Sequence, residues 1–104
     1  MKVHLVHAHP EQDSFVAAMR DVMIDRFTAA RAKVTLSDLY AMKFDPVMSA
    51  EDFGERRDPD HVTYALEQRH GYETRTLAPD ILAEIDKVIE ADLLAFTFPL
   101  FWFS

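Results

Sequence analysis

A change of hydrophobic period within the first 38 residues constrains the fold of this chain more than any other feature. Lys2 to Ala8 alternates loosely and is rich in Val, Leu and His, which reads as a strand. His9-Pro10-Glu11-Gln12-Asp13 breaks it as a short polar turn. From Ser14 the spacing becomes three and four. Phe15, Ala18, Met19, Val22 and Phe27 then form the expected buried stripe of a helix of about 17 residues. Ser14 or Asp13 is suited to cap its start. Lys33 to Asp38 reads as a second short strand with Val34 and Leu36 inward. Strand, helix, strand is a βαβ unit, whose right-handed crossover makes the strands parallel.

The remainder extends that unit. Leu39 to Leu77 is the least regular part. Ser49-Ala50-Glu51-Asp52 has the spacing of a capping box, while Gly54 and Pro59 prevent a long helix. The charge-rich segment Glu51 to Asp60 reads as a solvated loop, followed by a short helix near Tyr64 to Arg69. Pro79 suits a first helical position; Ile81, Ile85, Val88 and Ile89 form the expected stripe, with Asp80 and Glu84 toward the positive end. Asp92 to Phe98 is a third, buried strand that Pro99 stops, because proline cannot continue a ladder in a sheet interior. The class is therefore α/β, a parallel sheet of order 2-1-3. In that order the winding reverses between the first and third strands. The crevice above the reversal, where open α/β sheets take ligands, lies between His9–Phe15 and Pro99–Phe103.

Composition narrows the chemistry. Hydrophobic residues make up 49%, enough for a folded core, and no run approaches a membrane span or a signal peptide. The absence of cysteine removes disulfides and thiolate metal sites and suits a reducing cytoplasm. A formal charge of −7 argues against general binding of nucleic acid or anionic membranes. It leaves room for a phosphorylated ligand, since the start of the first helix offers unpaired N–H groups beside Ser14 and His9. With only Gly54 and Gly71, neither a G-x-G-x-x-G nor a Walker loop is present. His4, His7 and His9 read as sharing one strand face, which raises a metal site; a single strand rarely closes such a geometry, and no metal is expected. No residue set for nucleophilic or paired-carboxylate catalysis stands out. Leu100-Phe101-Trp102-Phe103 places three adjacent aromatics in a loop, where turns usually carry small polar residues.

Several motifs carry a family resemblance: Ala8-His9-Pro10-Glu11-x-x-Ser14-Phe15, the run Ser37-Asp38-Leu39-Tyr40-Ala41-Met42-Lys43-Phe44-Asp45-Pro46, Leu77-Ala78-Pro79-Asp80-Ile81, and the stretch from Glu90-Ala91-Asp92 to Phe98-Pro99-Leu100-x-Trp102-Phe103. Over all 104 residues the chain resembles the NAD(P)H:quinone oxidoreductase family, flavodoxin-like flavoproteins that are usually dimers. The resemblance implies the N-terminal part of a flavodoxin-like quinone-reductase domain over residues 1–104, its sheet ending after the third strand. It implies bound flavin, FAD or in some members FMN, with NAD(P)H as co-substrate and a quinone as acceptor. His9, Ser14 and Phe15 match the residues that hold the flavin's phosphates. Leu100, Phe101, Trp102 and Phe103 match the loop against its ring. Val16 stands where asparagine is common, Phe101 where glutamine or tyrosine is frequent, and Thr63 where some members direct a glutamine toward the flavin.

The family's glycine-rich flavin loop and the Tyr and His credited with helping hydride transfer would follow Ser104, so no catalytic residue is assigned here. The resulting expectation is a flavin-dependent NAD(P)H dehydrogenase (quinone), cytoplasmic and homo-oligomeric, without nucleic-acid or membrane partners. The competing expectations are a truncated, non-catalytic remnant or interaction module that pairs through an exposed third strand, and a regulatory flavoprotein subunit of a potassium-efflux system.

Overall fold

The computed structural model describes residues 1–100, and the expectations on Phe101, Trp102 and Phe103 lie outside the described residues. The described chain forms two compact units, one of Met1–Phe44 with the residues from Lys87 onward, the other of Asp45–Asp86.

The first unit is built on a three-stranded parallel sheet of order β2-β1-β3, as the crossover argument requires. Strand β1 spans Lys2–His7, β2 Lys33–Asp38 and β3 Leu93–Thr97. Val3 pairs with Val34 on one side and Leu93 on the other, and the registers run on to His7 opposite Asp38 and Thr97. Asp92 fixes the start of β3: its carboxylate accepts the Lys2 N–H at 2.7 Å and its own N–H donates to the Lys2 carbonyl at 2.8 Å.

Helix α1, Phe15–Ala29, connects β1 to β2 and packs on one face of the sheet. Ser14 is its N-cap, with extended backbone and a hydroxyl that accepts the Ala17 N–H at 3.0 Å. The buried face differs from the expected stripe. Phe15 is 80% exposed, and Ala18, Met19 and Val22 also face solvent, lining with Met23 a shallow apolar hollow of about 250 Å³. Only Phe27 of the stripe is half-buried. The inward positions are Val16, Ala17, Arg20, Met23, Ile24 and Phe27, a true helical row displaced around the barrel of the helix. An arginine occupies its centre, so apolar periodicity selects the neighbouring face. Arg31, just past the helix, takes the left-handed backbone (φ 66°) usually filled by glycine.

The central strand also departs from expectation. His4 and His7 are three residues apart, so they lie on opposite faces of the sheet rather than one. Both are buried, each paired with hydroxyls. His4 joins β1 to β2 through Thr35 Oγ1 at 2.7 Å and Ser37 Oγ at 3.0 Å, and Lys87 Nζ donates to that Ser37 oxygen at 3.4 Å. His7 joins β1 to β3 through Thr97 Oγ1 at 2.8 Å. In β2, Leu36 is exposed and Val34 half-buried; the fully buried residue is Ser37, on the other face, where His4 engages it.

The second unit contains a 3₁₀ turn at Ala50–Asp52, helix α2 at Tyr64–Thr74, and most of helix α3, Pro79–Glu90. The capping box is present: the Ser49 N–H donates to Asp52 Oδ2 at 3.1 Å and the Glu51 N–H to Ser49 Oγ at 3.3 Å. Phe53 and Leu77 form an isolated antiparallel bridge and are both buried. In α3, Ile81 and Ile85 are half-buried, whereas Val88 and Ile89 are exposed, so the expected stripe covers only the first half of the helix.

Glu51–Asp60 is not simply solvated. Its later residues wrap a fully buried carboxylate, Glu67, which accepts the N–H groups of Arg57 and Asp58 at 3.0 Å each and faces Arg56 Nε at 3.5 Å. Burial alone would raise the Glu67 pKa; the two backbone donors and the guanidinium outweigh it and hold the group below its ordinary 4.5.

Candidate functional site

Parallel strands end on the same side of a sheet, so the segments after β1 and β3 emerge as neighbours. The Ala8 N–H donates to the Thr97 carbonyl at 2.9 Å, one residue before His9 and two before Pro99. The two loops that the strand order was expected to bring together therefore leave the sheet side by side, with Phe98 and Leu100 exposed there.

The β1–α1 turn is rich in hydrogen-bond donors. The Glu11 N–H donates to His9 Nδ1 at 2.9 Å, which makes Nδ1 an acceptor and, in the neutral ring, leaves the proton on Nε2. Ser14 caps α1 through its oxygen and keeps its own proton to give. Phe15 and Val16, the first helical residues, have no carbonyl four residues back within the helix to receive their N–H groups. No acidic side chain occupies the first turn. An imidazole N–H, a hydroxyl and two backbone N–H groups near the positive end of a helix are donors of the kind an oxyanion accepts.

Beneath the turn lies a polar cluster that periodicity does not signal. Arg20, 9% exposed, donates from Nη1 to Gln12 Oε1 at 3.0 Å and to Asp38 Oδ2 at 3.2 Å, and from Nε to Asp21 Oδ1 at 3.0 Å. His7 lies on the same sheet face. Burial first, and then the nearby guanidinium of Arg20, push its pKa below the ordinary 6.5, with Asp38 pulling weakly the other way, so the ring is neutral at pH 7. Its Nε2 has no hydrogen-bond partner among the described residues. The one sequence signal for this cluster was Asp38 at the start of the Ser37–Pro46 motif; an arginine inside an apolar helix row gave none.

The family comparison decides the assignment. A family model described as "Flavodoxin-like fold" matches residues 1–104. The chain belongs to the flavodoxin-like family of NAD(P)H:quinone oxidoreductases. It is 43% identical over 104 residues to the ribosyldihydronicotinamide dehydrogenase [quinone] of Pongo abelii, covering 99% of this chain and 45% of that protein. Against NAD(P)H dehydrogenase [quinone] 1 of Cavia porcellus it is 44% identical over 101 residues, covering 96% and 37% respectively. A crystal structure of a candidate quinone reductase from Klebsiella pneumoniae superposes with a TM-score of 0.92 at 36% identity, over 100% of this chain and 40% of that one. This family member thus spans less than half the length of these relatives. Among its described residues no helix is long and apolar enough to cross a membrane.

Proposed function

We propose that the chain is the flavin-holding N-terminal part of an NAD(P)H dehydrogenase (quinone). The observation that carries the reading is the convergence of the donor-rich β1–α1 turn with the end of β3 at one rim of a parallel sheet. The fit to the cofactor is chemical: His9 Nε2–H, the Ser14 hydroxyl and the Phe15 and Val16 N–H groups supply donors suited to flavin phosphates. Phe15 offers an exposed ring beside them, and Leu100, Phe101, Trp102 and Phe103 are assigned to the flat ring system, which aromatic side chains and backbone donors suit. Val16 contributes only its backbone, having no polar side-chain atom. When bound, the flavin supplies the two-electron chemistry, taking hydride from NAD(P)H and passing two electrons to a quinone. The protein's own part is to grip the phosphates and orient the ring. The assigned cofactor is FAD, with FMN as the alternative; a homo-oligomer in the cytoplasm completes the reading.

A second reading rests on a different observation. β3 is the outer strand of the sheet among the described residues, and Phe96 and Phe98 are each 57% exposed. Such a strand suits a non-catalytic module that associates through its edge. The visible spectrum of the purified chain, followed by titration with FAD and FMN, separates the two. Flavin absorption with quenched Trp102 emission is the expected result. A colourless chain that takes up neither flavin leaves only the association reading.

A further inference from the structure

Among the described residues, the β1–α1 turn is tied to the second strand by one cluster. Within the turn the bonds are local: the Glu11 N–H to His9 Nδ1, and a long Ser14 N–H to Glu11 carbonyl contact at 3.4 Å. Gln12 reaches further. Its amide oxygen accepts from Arg20 Nη1 at 3.0 Å, its Nε2 donates to Asp38 Oδ2 at 3.3 Å, and Arg20 Nη1 donates to that same carboxylate oxygen at 3.2 Å. Gln12, Arg20 and Asp38 therefore form a closed triangle, each side chain touching the other two. Its corners lie in the β1–α1 turn, on the inward face of α1, and at the last residue of β2. Asp38 is itself held, its other oxygen accepting the Ala41 N–H at 3.2 Å.

A guanidinium on the sheet-facing row of a helix is costly to desolvate unless its donors are engaged, and here Nε and Nη1 are, on Asp21, Gln12 and Asp38. We propose that Arg20 is a positioning residue for the cofactor: acting through Gln12, and braced by Asp38, it fixes the turn that presents His9 and Ser14. The proposal rests on the flavin reading above. It is distinct from a plain packing role, because Gln12 is exposed and contributes nothing to the core. Cutting the Gln12 corner leaves the Arg20–Asp38 ion pair and the α1–sheet contact in place.

The test compares wild type, Gln12→Ala and Arg20→Met by FAD titration, thermal melting and amide hydrogen exchange of residues 11–14. Gln12→Ala should weaken FAD binding roughly two- to tenfold, the worth of about one hydrogen bond, with an unchanged melting midpoint and faster exchange in the turn. Arg20→Met should weaken binding at least as much and lower the midpoint as well. Wild type and both variants binding FAD equally would overturn the role given to Arg20 alone. So would Gln12→Ala exchange that matches wild type. A wild type that takes up no flavin overturns the cofactor reading and the proposal together.

Discussion

In the sheet, three strands are joined by a continuous parallel ladder, and the buried polar groups sit between them as cross-strand pairs. In the Asp45–Asp86 unit there is no ladder beyond the single Phe53–Leu77 bridge, and an irregular segment is organised by one buried carboxylate collecting backbone N–H groups. The comparison shows two ways of satisfying backbone donors away from water. Repeating secondary structure does it everywhere at once, so no single side chain is decisive. A lone carboxylate does it at one point, and the segment depends on that residue.

The largest effect should come from removing that point. Glu67→Ala removes the acceptor of the Arg57 and Asp58 N–H groups and the carboxylate facing the half-buried Arg56. It should open residues 45–86 to proteolysis and hydrogen exchange while the β1 amides stay protected. Equal loss of protection in both units would break the comparison. Acid should act in the same sense. Because the folded pKa lies below 4.5, the carboxylate's contribution is complete above that value and is lost as the pH falls through the folded pKa. Exchange at Arg57 and Asp58 should therefore accelerate in that window.

Next in size is Gly71→Ala in the same unit. A Cβ there would overlap Leu77 Cδ2 and come within 2.9 Å of its Cγ, where Leu77 is buried. Overpacking of this kind should cost about 1–3 kcal/mol in denaturant unfolding.

The sheet's counterpart is His7. Its folded pKa lies below 6.5, so the neutral ring's contribution is full above 6.5 and is lost as the pH drops from there through the folded value. The melting midpoint should fall as the pH is lowered from about 7.5 to about 5.5, on the order of one unit either side of the ordinary histidine value, and His7→Phe should flatten that dependence. The smallest expected change is a gain: Arg31→Gly relieves a left-handed backbone and should stabilise the chain by about 0.5–1 kcal/mol in thermal melts.

These contrasts also explain what was legible beforehand. The strands, their order and the Ser14 cap follow from local signals: alternation, a period change, a stopping proline and the crossover rule. The burial expected of the third strand does not hold, since β3 lies at the edge of the described sheet with Leu93, Leu94 and Phe96 exposed. The face of α1 was not legible. Phe15, Met19 and Val22 have the right spacing, and an inward arginine paired with residues eight and eighteen positions away leaves no trace in hydrophobic periodicity. Glu67 was hidden for the same reason, its partners being backbone N–H groups that no residue type advertises. For the site, His9 and Ser14 could be read from the helix start, whereas Gln12 acquires meaning only when β2 is beside it.

The hydroxyl-paired imidazoles of β1 bear on how this chain assembles. His4 pairs with hydroxyls on β2, and His7 with a hydroxyl on β3. Each works as an address label: a neighbour that docks one residue out of step turns its hydroxyl to the wrong side and strands a ring nitrogen in the dry interior. Misregistered pairings are thereby penalised on both flanks of the middle strand, in a topology where partners must find each other across dozens of intervening residues.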